Sequence, residues 1–316
     1  MKQPQVFSWD KGAGDASNRC AILLKIELEG ALTPNNPKSK IQNPKPSTAA
    51  DQENETDDDL AQIVAGTIDG FSNMAVAAGG GVETVGGAAT WHSPSNIPVF
   101  NASGLFSDNL IAPPTLDAVS AYFRQMAHPY SVMILDGLVP GAAQKLNDLG
   151  FTQVDSMPAM SLSSLDGALR KQLEPVEVQV EVKRVETSME RATFRSVLLQ
   201  VFAMPEEEVE IILTDKAFDM PFVRHYIARV DEATVGTASV VMGGEIAGIW
   251  NVGTLAQHRR QGIALQMMYH ALTQAYAAGC RSSMLLASRD GTPLYERLGY
   301  STLSMLRVFI PTGANH

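Results

Sequence analysis

From Thr56 onward, apolar positions fall into runs that switch between helical and extended spacing. Leu60, Ile63, Val64, Ile68 and Phe71 share one face at a period near 3.6, which predicts a helix capped by Thr56. Glycines at 79–81 and 86–87 then break the chain. No Gly-Lys-Ser/Thr follows them and no G-x-G-x-x-G runs through them, so this stretch is read as a plain loop and not a phosphate loop. Extended segments are predicted at 89–93 (ATWHS) and 98–106 (PVFNASGLF), a helix over 115–127 and a strand over 130–135. A short helix ends in LNDLGF (146–151), and LSSLDGALRKQLEP (162–175) reads as a connector.

Beyond the connector, alternation over 176–186 predicts a strand, followed by helices over 190–203 and 205–217. Three extended runs follow at 225–230, 235–242 and 246–254, the last two joined by the hairpin signal Gly243-Gly244. Leu265, Met268, Leu272 and Tyr276 form the apolar stripe of a helix over 261–279. A buried strand (283–288), a short helix (292–298) and a closing strand (301–311) complete the pattern. This order predicts an α/β (α+β) fold, a mixed sheet flanked by helices.

Composition changes the picture mainly at the N-terminal end. Residues 33–48 carry four prolines among Asn, Lys and Ser, and six acids crowd into residues 51–59. Such a stretch buries too little surface to offset its ordering entropy, so 30–56 is expected to be a disordered linker within a tail over 1–56. The length of 316 residues then leaves room for two globular units, expected at 57–162 and 175–316. The opening MKQPQVFSWDKGAGD lacks an apolar run and does not read as a secretory signal, and no apolar stretch is long enough to span a bilayer. With only Cys20 and Cys280, neither a disulfide framework nor a thiolate metal site is expected, and no metal is called for. The expectation is a reduced, cytoplasmic setting without a membrane partner. A net charge of −10 argues against nucleic acid as the main partner.

Two segments carry the candidate chemistry. In NVGTLAQHRRQGIALQMM (251–268) a strand passes through a loop into a helix N-terminus, where backbone N–H groups lack partners and the dipole is positive. Gly262 permits a close turn, Ala264 keeps the surface low, and Arg259 and Arg260 add positive charge. Together they suit a pyrophosphate. In SRDGTPLYERLGYSTL (288–303) a buried strand gives way to a short helix that carries Tyr295 and exits at Gly299.

In this order and spacing, the two segments resemble motifs A and B of the GCN5-related N-acetyltransferase (GNAT) superfamily. Arg259-x-x-Gly262-x-Ala264 matches the family's (Gln/Arg)-x-x-Gly-x-(Gly/Ala) signature, and Leu294-Tyr295-x-x-Leu298-Gly299-Tyr300 matches its Leu-Tyr-x-x-x-Gly-(Phe/Tyr) pattern. The resemblance implies a mostly antiparallel GNAT-type sheet and acetyl-CoA as acyl donor. Backbone groups of Val252, Gly253 and Thr254 would pair with the pantetheine arm. The N–H groups of Arg259, Arg260, Gln261, Gly262, Ile263 and Ala264 would hold the pyrophosphate. Ser288 stands where the family often has Asn and can still donate a hydrogen bond. Tyr295 would protonate the departing thiolate, and a strand N–H near Val252 would polarise the thioester carbonyl.

The implied reaction is direct attack by a primary amine, borne by a small molecule or a peptide. A homodimer is a further candidate assembly. No general base is assigned: Glu245 borders a hairpin, and His225 and His258 read as surface positions. The alternative is a non-catalytic acyl-CoA-binding sensor. A scaffold without cofactor is a third reading. LNDLGF at 146–151 is similar to YERLGY at 295–300, with Leu146 in place of Tyr295. This predicts a degenerate GNAT-like half over 57–162, without acid or phosphate loop, that shapes the acceptor pocket.

Overall fold

The acidic run opens a helix instead of ending a linker. Helix α1 spans Ala49–Ala77, so the expectation of disorder over 49–56 is corrected. Alanine, glutamine and glutamate are strong helix formers, and residues 49–55 are rich in them. The computed structural model describes residues 49–170 and 178–313, and the rest of the expected tail lies outside the described residues.

Strand β1 (Gly81–Val85) forms where a loop was expected and makes a hairpin with β2 (Ala88–His92), which falls on the extended segment expected at 89–93. Gly86 and Gly87, at φ +59° and +89°, supply the left-handed turn between them. Then come β3 (Ala102–Gly104), α2 (Pro113–Met126), β4 (Ser131–Leu135) and α3 (Ala142–Asp148). The long strand β5 (Phe151–Leu162) has no counterpart among the expected elements. Its Thr152–Asp155 stretch is exposed and lacks a period of two, so its extended form comes from pairing with another strand. The short helix α4 (Leu165–Leu169) follows it.

The second stretch holds β6 (Glu181–Arg184), α5 (Ser188–Phe202), α6 (Glu206–Ile212) and α7 (Asp215–Asp219). It continues with the meander β7 (Val223–Val230), β8 (Ala233–Gly243) and β9 (Ile246–Thr254). Helix α8 (Ile263–Ala277), β10 (Ser282–Leu286), α9 (Thr292–Leu298) and β11 (Ser301–Pro311) close the chain's described part.

The eleven strands among the described residues join one sheet in the order β1-β2-β3-β4-β11-β5-β10-β9-β8-β7-β6. Only β3 with β4 and β9 with β10 run parallel, so the sheet is mixed and mostly antiparallel. The two chain stretches interleave at its centre: β11 lies between β4 and β5, and β5 between β11 and β10.

Helix α8 packs one core over β8 and β9, built from Leu265, Met268 and Leu272 with Tyr226, Ile249 and Tyr295. Period two sends the alternate residues of β7 to the other core, where Ile227 meets Phe194, Ile212 and Phe218 of α5, α6 and α7. Helix α1 rides directly on β9 and β10. A Cβ at Gly70 would lie 2.0 Å from the Trp250 ring, and one at Gly66 would lie 2.6 Å from Met284.

Candidate active site

The site forms where β9 and β10 part. Their parallel pairing runs from Ser282 opposite Ile246 to Leu285 opposite Ile249 and then stops. Among the described residues β9 continues with β8 as its only strand partner, while the amide of Ala287, just past β10, donates to Pro158 O at 2.8 Å. A hydrogen-bonded staple fixes the point of divergence. The Ser283 hydroxyl donates to Ala247 O across the pair (2.8 Å), which leaves the Tyr300 hydroxyl to donate to Ser283 Oγ (2.6 Å).

Immediately past that point β9 carries a bulge. The register jumps from Ser239 opposite Trp250 to Thr237 opposite Gly253, and Asn251 takes φ +55°. Asparagine tolerates this left-handed conformation better than most residues, and bulges re-aim backbone groups beside active sites. The Thr237 hydroxyl holds Asn251 O at 2.9 Å, which pins the bulge. Val252, Gly253 and Thr254 lie along the open edge; Thr254 is buried, and its hydroxyl has no hydrogen-bond partner. An orphaned buried polar atom of this kind fits a cleft that a polar ligand enters.

The loop into α8 is shaped by two left-handed residues, Arg260 (φ +63°) and Gly262 (φ +78°). Gly262 is the helix N-cap and offers no side-chain cap, so the N–H groups of the first turn, including those of Ile263 and Ala264, stay available. Ile263 is buried against Ala228, Val235, Ala238 and Met267, which anchors the helix start. Arg259 folds back, its Nε donating to Thr254 O at 3.1 Å, whereas Arg260 is exposed and Gln261 half-buried. The residues therefore fit a diphosphate at this end, held by main-chain donors with Arg260 at its flank.

Ser288 lies just beyond β10, exposed, and its Oγ accepts from Gly291 N (3.1 Å). Its hydroxyl shapes the turn into α9. Tyr295 is only 7% exposed, within the α8 core and edge-on to Tyr300 at 5.9 Å. Burial pushes its phenol up to about 12, so it keeps its proton throughout the neutral range. Cys280 is buried too and its thiol is pushed up by burial, as suits a packing residue.

On the opposite face of β9, between α1 and the α6–α7 region, a small cavity partly open to solvent reaches the bulge. Asn73, Met220 and Trp250 line it, and the Trp250 indole N–H is buried without a partner. At its inner end stands a hydrogen-bonded chain. His225 Nε2 lies 3.3 Å from Ala217 O, which can only accept, so the neutral imidazole bears its proton there. Nδ1 then accepts from the Ser239 hydroxyl at 2.8 Å, and Asn251 Nδ2 donates to Ser239 Oγ at 3.1 Å.

His225 is thus not the surface residue expected. Val223, His225 and Ile227 share one face of β7 while Tyr226 and Ala228 are buried on the other, so HYIARV carried no polar alternation to mark His225 as buried. Glu245 is exposed at the β8–β9 hairpin, and its carbonyl receives the Arg281 and Ser282 amides.

Burial, reinforced by Arg191 and Arg184, lowers the His225 imidazole to about 4. In the unfolded chain it titrates near 6.5, so below that pH the unfolded state binds more protons. Its contribution to stability, up to about 3 kcal/mol, is present above pH 6.5 and lost as pH falls towards 4. Denaturant unfolding at stepped pH is expected to show a shallower acid loss in His225→Gln than in the parent; equal slopes would remove His225 as the source. The comparison separates this effect from Asp69, whose carboxyl is raised by burial and acts with the opposite sign.

Among the described residues, no helix is long and apolar enough to cross a membrane, and no group of three His, Cys, Asp or Glu could hold a metal ion. No curated protein matches the sequence. A GCN5-related N-acetyltransferase from Kribbella flavida is similar in structure, with a TM-score of 0.60 at 20% identity over 74% of this chain and 90% of that one. A GCN5-related N-acetyltransferase from Sphaerobacter thermophilus gives 0.52 at 16% identity, over 71% and 78%. A conserved protein of unknown function from Staphylococcus epidermidis gives 0.52 at 14%, over 72% and 91%. These identities carry the fold alone. Residues 192–300 match the model described as "Acetyltransferase (GNAT) family". With the splayed β9–β10 pair and the uncapped helix behind it, residues 192–300 form a domain of the GNAT acetyltransferase family.

Proposed function

We propose that the protein transfers an acyl group, acetyl from acetyl-CoA, to a primary amine by direct attack. The observation that carries this reading is a gap in the sheet that is accessible from both faces. On one face lie the main-chain donors at the start of α8; on the other lies a cavity that reaches the Asn251 bulge. Main-chain groups of Val252, Gly253 and Thr254 pair with the pantetheine arm along the edge that β10 vacates. The N–H groups of residues 259–264 hold the pyrophosphate, and Ser288 closes the far side.

An N–H at the bulge faces the thioester oxygen, where negative charge develops as the amine nitrogen bonds to carbon. The C–S bond then breaks, and Tyr295 donates its proton to the departing sulfur. On the acceptor side, Ser239 and His225 present a polar end at which the attacking amine can release its proton through the hydroxyl. The acceptor is a small molecule or a peptide end that fits this cavity.

The same topology supports a degenerate half over 57–162. Strand β3, α2, parallel β4, α3 and β5 repeat the order of β9, α8, β10, α9 and β11, with the final strands exchanged at the sheet centre. Helix α2 begins with Pro113 and Pro114, which have no N–H to offer a phosphate, and Leu146 is a core residue of α3. We assign this half no chemistry. Its role is to hold α1 over the acceptor cavity, which Gly70 and Asn73 line.

Release of thiol from acetyl-CoA, followed across a panel of amines with the products weighed by mass spectrometry, tests the reading. Amine-dependent release with a +42 Da product is expected. A protein that binds coenzyme A but releases no thiol with any amine would favour the sensor alternative, towards which the weak basicity of His225 points.

A further inference from the structure

One carboxylate beside the acceptor cavity is used by none of these roles. Asp69 lies on α1 one residue before Gly70, on the face that Gly66, Gly70, Asn73 and Ala77 present to β8 and β9 at helical spacing. It lines a narrow cleft with Val241, Gly243, Ile246 and Gly248 of the β8–β9 hairpin. The cleft exists because its walls are glycines: a Cβ at Gly243 would lie 2.8 Å from Asp69 Oδ2. Among the described residues Asp69 has no hydrogen-bond or ion-pair partner, and burial raises its carboxyl to about 6, leaving it mostly ionised at neutral pH. A largely enclosed, unpaired carboxylate is costly unless something cationic joins it.

Val241 lines both this cleft and the larger cavity, which places the two side by side along α1. From Asp69 to Asn73 is one helical turn, about 6 Å, and from Gly248 to Asn251 is three strand residues, about 10 Å. We propose that this cleft is a subsite for a second, non-reacting ammonium group of the acceptor, so that the preferred substrates are α,ω-diamines or molecules that present two amines at that spacing. Spans of 6 to 10 Å correspond to roughly four to seven methylenes between the nitrogens. The inference rests on the proposed transfer reading and adds the substrate class to it.

The test compares n-pentylamine with 1,5-diaminopentane as acceptors for the full chain. A charge-assisted contact of this kind is expected to favour the diamine by about 10- to 100-fold in kcat/KM, mostly through KM. In Asp69→Asn, which keeps the side-chain shape, the ratio should fall towards one. Equal use of the two amines by the parent, or a preference that survives Asp69→Asn, overturns the subsite. Should neither amine release thiol, calorimetry with 1,5-diaminopentane decides the subsite, while the transfer reading itself fails only when no amine of the panel releases thiol. Binding at least about tenfold weaker in Asp69→Asn supports it, and equal or undetectable binding in both proteins overturns it.

Discussion

Gly262→Val is expected to weaken coenzyme A binding by about 100-fold or more. Gly262 stands at φ +78°, where a β-branched residue is a severe outlier, and it is the residue from which α8 springs. Valine must either accept strain of about 1–3 kcal/mol or rotate the peptide into an ordinary region. The second course swings the N–H groups of Ile263 and Ala264 away from the phosphate position, and each donor to an anion contributes about 1.5–3 kcal/mol. Losing two such donors accounts for the predicted factor. Calorimetric titration with coenzyme A measures it, and Gly262→Ala, with the same sign of strain but less bulk, should fall between the two. Ile263 is buried independently of the loop conformation, so the fold should survive, with a modest drop in denaturation midpoint. An unchanged affinity would show that the phosphate sits elsewhere.

The second large effect concerns the proton. Tyr295→Phe is expected to lower kcat by about 100- to 1000-fold, the range of a positioned general acid, while KM for acetyl-CoA changes little. Phenylalanine keeps the ring that packs with Leu298 and Tyr300, so the fold and the cleft persist. Burial holds the phenol near 12, well above an unperturbed thiol near 8.5, so the tyrosine is always loaded but gives up its proton only as charge builds on sulfur. The same dry surroundings raise the thiol as well, which narrows the gap between the two. Steady-state kinetics with a good amine would show the split between kcat and KM, and a parent-like kcat would remove Tyr295 from the chemistry.

Much of the proposed donor side was readable from residue order. Arg259-x-x-Gly262-x-Ala264 places a helix N-terminus after a strand, and local chain geometry leaves few other arrangements for those residue types. The acceptor side was not. His225, Ser239 and Asn251 come from three strands, and Gly70 and Asn73 come from a helix more than a hundred residues earlier. A histidine within HYIARV looks like a strand-end surface residue until the alternation of β7 is combined with the helices above it. Strand β5 was missed for a related reason. Its exposed Thr152–Asp155 stretch has no amphipathic signature and becomes extended through its pairing with β11.

By itself, the sequence determined the local elements, because periodicity, glycine placement and helix-start chemistry act over a few residues. It thereby specified the family resemblance and the loop at the start of α8 that is proposed to face the phosphates. Only the tertiary structure decided that the two stretches interleave in one sheet, that α1 lines the cavity at the Asn251 bulge, and that Asp69 stands unpaired beside it. Those features depend on which strands meet across long chain separations, and pairing partners are selected by the burial of whole surfaces, not by any local pattern.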